Sequence, residues 1–124
     1  MFNILRPLIF KFNPEIAHSL AIKALKLGNI HPLNNIKSPL LEQSLFNKKI
    51  YSPIGVAAGV DMHAEVFNSL FYLGFGFVEV GTVTPKQQRG NPKPRIFRLE
   101  KDKALINILG FNNHGSEVVS TRIN

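Results

Sequence analysis

Small and polar residues that could hold a flat ligand lie at the ends of three predicted strands of this chain. Ala57-Ala58-Gly59 follows one apolar run, Thr82 follows a second, and Asn107 lies near the end of a third. Small residues let a large flat ligand approach the backbone, and the Thr82 hydroxyl and the Asn107 amide offer hydrogen bonds to ring heteroatoms. These residues therefore predict a ligand site; the alternative is that the alanines only pack a helix onto a sheet.

The segment that must position these residues runs from Ile54 to Thr84. An apolar run, a small-residue turn ending in Asp61, a periodic helical stretch and a second apolar run predict strand, loop, helix and strand, which is one βαβ unit. Parallel strands are buried on both faces and read as continuous apolar runs, as residues 54–57 and 77–80 do. Ligands of α/β folds lie at the carboxyl ends of the strands, so Ala58-Gly59-Val60-Asp61 and Gly81-Thr82 are the candidate site.

Two amphipathic helices are predicted ahead of this unit. Apolar residues recur at helical spacing from Phe2 to Phe12, and Asn13-Pro14-Glu15 is typical of a helix start, with Asn13 as the N-cap. The second helix ends at Gly28 and carries its apolar stripe on Ile16, Ala17, Leu20, Ala21, Ala24 and Leu27. The pair either packs on the main domain or lies on a membrane surface, because Arg6, Lys11, Lys23 and Lys26 flank the stripes. We expect no bilayer-spanning run and no signal peptide.

The rest of the chain is predicted to be loops and short strands. Residues 29–43 form a linker, which divides the chain into a helical segment (1–43) and a second part (44–124). A hairpin joins Leu45-Phe46 to Ile50-Tyr51, with residues 47–49 as its turn. Residues 85–94 form an irregular loop, 95–99 and 104–108 form strands, 110–115 form a loop with unusual backbone demands, and the last ten residues open a helix.

Several chemistries are excluded or disfavoured by composition. The chain has no cysteine, which excludes thiolate nucleophiles, disulfides and iron–sulfur sites. Four histidines are scattered without metal-binding spacing, so we expect no metal site. Gly74-Phe75-Gly76 precedes a strand rather than following one, which indicates a helix-to-strand turn and not a dinucleotide fingerprint.

The net charge of +7 leaves polyanions open as partners. The densest basic patch comprises Lys93, Arg95, Arg98 and Lys101, and it is interpreted as a solvated face, with anion binding as the alternative. A small basic nucleic-acid-binding protein is a remote alternative, and we expect no nucleic acid because no aromatic and basic platform is present.

Five motifs carry a resemblance to the class 2, quinone-dependent dihydroorotate dehydrogenases, and they follow one another in order along the chain. They are FNPEIAH at 12–18, AAGVD at 57–61, EVGTVTP at 79–85, GNPKPRIFRL at 90–99 and LINILGFNN at 105–113. The resemblance implies an N-terminal helical pair on a membrane, guiding a quinone, followed by about the first two units of an incomplete (β/α)₈ TIM barrel that binds FMN. It also implies oxidation of dihydroorotate to orotate in pyrimidine biosynthesis, at the cytoplasmic side of a bacterial-type inner membrane.

The resemblance also assigns site residues, position by position. The cofactor-binding residues are Ala58, Gly59, Val60, Asp61 and Thr82; the substrate-binding residues are Asn107, Gly110 and Phe111; and the residues of the quinone tunnel are His18 and Arg98. No catalytic residue is assigned, because the family's serine base is expected to lie beyond Asn124.

The chain departs from the family pattern in three ways. Met62 stands where the family has a lysine that touches flavin and orotate, and Ile108 stands where bacterial relatives often have an arginine. A closed barrel needs about 250 residues, far more than follow Pro53. Two hypotheses follow: an oxidoreductase, completed by a second polypeptide, or a truncated and inactive remnant of that enzyme.

Overall fold

The structure is a computed structural model that describes residues 2–28 and 38–124, and for residues 2–5 only the backbone. Most of the predicted linker, residues 29–37, lies outside the described residues, and the predicted boundary after residue 43 stays a prediction. The elements, in chain order, are helices α1 (Phe2–Ile9) and α2 (Pro14–Leu27), a 3₁₀ turn (Pro39–Leu41), strands β1 (Gln43–Leu45), β2 (Lys48–Ile50) and β3 (Gly55–Val56), helix α3 (Phe67–Tyr72), strands β4 (Phe77–Val78), β5 (Ile96–Leu99) and β6 (Ala104–Asn107), and helix α4 (Ser116–Ile123).

The start and the end of α2 follow the sequence signals. Asn13 accepts a hydrogen bond from the backbone N–H of Glu15 at 2.9 Å, and Pro14 occupies the first helical position, where its missing N–H costs nothing. Gly28 follows the last helical residue. Both predicted helices are therefore confirmed, and no helix in the described ranges is long and apolar enough to cross a membrane.

The face that α2 turns toward the core differs from its predicted apolar stripe. Ile22 and Leu25 pack against the buried cluster of Val56, Val66 and Leu70. The predicted stripe faces away, and Leu27 is 87% exposed. The helix thus packs on the main domain through one face and leaves a second, apolar face open to other contacts.

Three two-stranded sheets are present among the described residues. Strands β3 and β4 are parallel, whereas β1–β2 and β5–β6 are antiparallel hairpins. The predicted turn at residues 47–49 is wrong, because Phe46 and Asn47 form the turn, with φ of 48° and 60°. Two positive φ values suit the right-handed twist of a two-residue hairpin, which sets the register from Leu45 to Lys48.

The predicted βαβ unit is present as β3, α3 and β4, with Val56 paired to Val78. Its burial is less complete than expected: Val56 is 7% exposed, but Ile54 is 64% exposed. Because β3 has only β4 beside it in the described ranges, one side of this apolar run lacks a covering layer. The predicted strands 95–99 and 104–108 are confirmed as β5 and β6, each shorter by one residue.

Candidate ligand site

The loops that follow β3 and β4 lie side by side and are joined through their backbones. Gly59 donates to the carbonyl of Gly81 at 2.8 Å, and Gly81 donates to the carbonyl of Asp61 at 3.2 Å. Both glycines have positive φ, which lets the two loops approach closely. The carboxyl ends of the two parallel strands therefore meet at one edge, as the sequence predicts.

A cleft of about 410 Å³ opens at this edge. It brings together most of the predicted cofactor and substrate residues from three separate loops: Ala58, Gly59, Thr82, Asn107, Gly110 and Phe111. The Thr82 hydroxyl and the Asn107 side-chain NH₂ have no hydrogen-bond partner among the described residues. These groups are thus available to a ligand with ring heteroatoms.

The described walls of this cleft carry no charged side chain. The remaining lining residues are Met62, Gly81, Asn91, Ile108, Leu109 and Asn112. The small residues of the 57–59 loop leave open space for a flat polar ring, since a Cβ added at Gly59 would meet nothing within 4 Å. A phosphate or a carboxylate, by contrast, finds no cationic partner on the described walls.

Asp61 and Val60, two predicted cofactor residues, do not line this cleft. The Asp61 carboxylate is 1% exposed and accepts hydrogen bonds from the backbone N–H groups of Glu65 and Val66, both at 2.8 Å. Those N–H groups stand at the end of the loop, just before α3. The visible role of Asp61 is to shape the loop, and the cofactor contacts of both residues stay predictions.

Two asparagines to which the sequence assigned no role, Asn91 and Asn113, hold the cleft together. Asn91 donates through its side chain to the carbonyl of Ile108 at 2.7 Å and through its backbone to that of Leu109 at 3.0 Å. Asn113 is 1% exposed, and its amide hydrogen-bonds Thr84, Gly115 and the carbonyl of Phe111. Asn91 and Asn113 lie within the family-like motifs, which was the one signal that could have found them.

A second cleft of about 320 Å³ lies behind the first, between α2 and the 60–65 loop. Met62, Leu109 and Asn112 line both clefts and so form a shared wall. Asn112 is 8% exposed, and its side-chain oxygen has no hydrogen-bond partner. Met62, the position of the predicted lysine, therefore stands between the two clefts.

The two predicted quinone-tunnel residues line different cavities. His18 lies in the second cleft and donates from Nε2 to the carbonyl of Val60 at 2.7 Å. Arg98 lines a separate cavity of about 380 Å³ near α1. It donates to the carbonyl of Phe12 at 2.7 Å, and its Cζ lies 4.6 Å from the centroid of the Phe10 ring. That His18 and Arg98 contact a quinone stays a prediction.

The basic patch predicted as a solvated face is largely paired. Arg95 is 7% exposed and donates from Nε and Nη2 to one carboxylate oxygen of Glu15, at 3.0 and 2.8 Å. Lys93 lies 3.2 Å from the same oxygen. Burial opposes ionisation of Glu15, but hydrogen bonds from Arg95 and Lys93 outweigh it and lower the pKa of this carboxyl. The predicted solvated face is thus wrong for Arg95, because α2 supplies a partly buried carboxylate as its partner.

Two of the four histidines that are far apart in the sequence come together in the structure. His63 and His114 stack with ring centroids 4.0 Å apart. In the part of the chain that the structure describes, no group of three histidine or acidic side chains could hold a metal ion.

The fold and the cleft define an α/β protein with a candidate ligand site at the carboxyl ends of parallel strands. The chain belongs to the dihydroorotate dehydrogenase family, since the family model described as "Dihydroorotate dehydrogenase" matches residues 40–124. Its similarity to proteins named "Dihydroorotate dehydrogenase (quinone)" confirms the predicted class 2 branch.

Two of these relatives show how far the likeness extends. The chain is 53% identical over 116 residues to the relative from Rhodospirillum rubrum, which covers 94% of this chain and 32% of that protein. It is 45% identical over 130 residues to the relative from Nitratiruptor sp., with 98% and 37% covered. The chain therefore spans about a third of the length of the curated relatives it matches.

Solved structures show the same relation. The dihydroorotate dehydrogenase of Eimeria tenella in complex with ferulenol matches with a TM-score of 0.82 and 45% identity, over 89% of this chain and 29% of that chain. Its ligand-free form matches with a TM-score of 0.83. The α/β class is thus shared with enzymes of this family.

Proposed function

We propose that this chain contributes the flavin-cradling part of a quinone-dependent dihydroorotate dehydrogenase, built as the first units of a (β/α)₈ barrel. The observation that carries the proposal is the first cleft, which gathers Ala58, Gly59, Thr82 and Asn107 from three loops. FMN would carry two electrons from dihydroorotate to a quinone in pyrimidine biosynthesis. The chain's own residues would seat the ring against the 57–59 loop and direct the Thr82 hydroxyl and the Asn107 amide at ring or substrate heteroatoms.

Flavin binding by the chain itself tests this proposal. FMN fluorescence should be quenched saturably on titration with the wild-type chain. Ala58→Leu should abolish most of the quenching, because it adds bulk to the cleft at an exposed position. Ala24→Leu, at an exposed position on α2, is the matched control and should bind as the wild type does. Equal binding by both variants, or no binding by the wild type, would contradict the proposal.

The alternative of an inactive remnant is favoured by one observation, the uncharged cleft with Met62 in its wall. A thioether cannot pair with a carboxylate or a phosphate, whereas a charge-assisted hydrogen bond contributes about 1.5–3 kcal/mol. The first cleft should therefore hold a neutral ring better than an anion. Dihydroorotate-dependent dye reduction by the purified wild-type chain would rule this alternative out.

Met62→Lys should restore anion binding. The expected gain is roughly 10- to 100-fold in affinity for orotate, because the ammonium group would lie in the shared wall beside Asn112. Isothermal titration of orotate into the variant measures it, and Met62→Leu, which keeps the wall apolar, is the control. An affinity for orotate that is the same in both variants would show that position 62 does not face the substrate.

We further propose peripheral attachment to the cytoplasmic face of a bacterial inner membrane through the helical pair. The support is the exposed apolar surface: Leu8 is 58% exposed and Leu20 48%, with Arg6 and Lys23 close in sequence. The wild-type chain should float with anionic liposomes and less so at high salt, whereas Leu8→Asp/Leu20→Asp should remain in the soluble fraction. Leu105→Asp, equally exposed but on β6, should still float. A wild-type chain that stays soluble would refute this attachment.

A further inference from the structure

The loop that lines the candidate cleft is fastened to α4 by one arginine. Arg122 donates from Nη1 to the backbone carbonyl of His63 at 2.7 Å and also lies 2.9 Å from Nδ1 of His114. Its guanidinium stands 3.8 Å from the carboxylate of Glu65. His63 directly follows Met62, which lies in the wall shared by the two clefts. Arg122 therefore holds the 57–66 loop next to the residue at which this loop lines the first cleft.

The contact with Arg122 sets the tautomer of His114. A guanidinium carries only donors and keeps its charge at every physiological pH. Nδ1 of His114 must therefore accept the hydrogen bond, which leaves the ring proton on Nε2 and the imidazole neutral. A protonated His114 would have no lone pair to offer, and its charge would face that of Arg122.

The stacked partner, His63, is also held neutral. Burial lowers the pKa of His63 below 6.5, and the neighbouring His114 and Arg122 lower it further, against the opposing effect of Glu65 and Asp61. The other charged and titratable groups that line the same cleft are Glu15, His18, Lys23, Lys26, Lys93 and Arg95. Lys26 pairs with Glu65 at 2.7 Å, and both Lys93 and Arg95 pair with Glu15. The carboxylates of Glu65 and Glu15 are therefore already paired and are not free to neutralise a protonated His63.

We propose that Arg122, His114 and His63 are positioning residues that hold the 57–66 loop in its ligand-accepting shape only while the His63 ring is neutral. Protonation of His63 places a second cation beside the Arg122 guanidinium, which bonds both the His63 carbonyl and the His114 ring stacked 4.0 Å away. Because burial lowers the pKa of His63, the fastening is complete above about pH 6.5 and is lost as the pH falls through the lower folded-state pKa of His63. Its consequence for ligand binding rests on the proposed flavin site; the positioning of the loop does not.

The loop itself reports the effect without any ligand. The backbone N–H groups of Glu65 and Val66, which bond to Asp61, should lose about tenfold in hydrogen-exchange protection between about pH 7.5 and about pH 5.5, after correction for intrinsic exchange. The N–H of Ile108, bonded to the carbonyl of Arg95, is the internal reference and should not change. The double variant His63→Phe/His114→Phe keeps two aromatic rings at these positions but has no group that titrates there. It should therefore lose the pH-dependent step in the protection of the Glu65 and Val66 N–H groups.

Two further measurements separate positioning from simple structural support. Nitrogen-15 spectra of the wild-type chain near neutral pH should show an unprotonated Nδ1 and a protonated Nε2 on His114. Arg122→Leu should abolish the step and leave the Glu65 and Val66 N–H groups weakly protected at both pH values, because the fastening itself is gone. A protection step that persists in the double variant, no step in the wild type, or a protonated Nδ1 on His114 would each overturn the proposal. If the protection step is present but the chain binds no FMN at any pH, the positioning role of these three residues is supported and the proposed flavin site is contradicted.

Discussion

Replacing Arg95 by leucine is expected to lower the free energy of unfolding by about 3–5 kcal/mol. The guanidinium is almost fully buried and ties three parts of the chain together. It bonds Glu15 at the start of α2, and it donates to the carbonyls of Arg89 and Asn91, at 2.8 and 3.2 Å. Leucine would leave the Glu15 carboxylate with only the exposed Lys93, and it would leave two carbonyls without a donor. Urea denaturation followed by circular dichroism measures the loss.

Two matched variants test this interpretation of Arg95. The double variant Glu15→Leu/Arg95→Leu should recover much of the lost stability, because removing both partners of a buried pair leaves no stranded charge. Lys101→Leu, at an exposed position, should change stability by less than about 0.5 kcal/mol. A double variant as unstable as Arg95→Leu would mean that packing, rather than the ion pair, sets the cost.

The same pair predicts a pH dependence of known sign. The pKa of Glu15 is lower in the folded protein than its usual value of 4.5. Its contribution to stability is therefore complete above pH 4.5 and is lost as the pH falls through the folded-state pKa. In Glu15→Gln this part of the acid destabilisation should be absent.

Replacing Asp61 by alanine is expected to cost about 2–4 kcal/mol. The buried carboxylate is the acceptor for the N–H groups of Glu65 and Val66, and alanine would leave the buried Val66 donor and the partly buried Glu65 donor without this acceptor. Val66 is itself 2% exposed and belongs to the core, so the loss should spread from the loop to the packing of α3. Urea denaturation gives the cost, and hydrogen exchange at the two N–H groups shows where it arises.

Asp61→Asn and Asp102→Ala are the controls for that experiment. Asparagine keeps one acceptor oxygen but turns an NH₂ toward the second backbone donor, so its cost should lie between those of aspartate and alanine. Asp102 is exposed in the β5–β6 turn and should tolerate alanine. If Asp61→Ala unfolds at the same urea concentration as Asp102→Ala, the carboxylate does not shape the loop.

Local signals in the sequence determined the elements and the candidate cleft. The Asn13 cap, the Pro14 start and the Gly28 end of α2 act within a few residues of one another, and so does the alternation that marks β5. Thr82 and Asn107 could be placed near one ligand because parallel strands end at a common edge, which is a rule of topology rather than of packing. The resemblance to the family rests on contiguous motifs, and the comparisons confirm it.

The sequence alone could not show which distant side chains meet. Glu15 and Arg95 are 80 residues apart, and nothing near either residue indicates the other. The contact face of α2 could not be chosen from the sequence for a similar reason: both faces carry apolar residues, and only the position of β3 and α3 beneath the helix selects Ile22 and Leu25.

What the sequence by itself determined is the family, the βαβ unit and the loops that form the cleft, because these follow from motifs, periodicity and turn residues. Only the tertiary structure decided that Asp61 turns inward, that His63 stacks on His114, and that Met62 stands between two clefts. The physical reason is that periodicity, capping and turn preference act between neighbours in the chain. Burial, ion pairing and ring stacking depend instead on where separate elements come to rest.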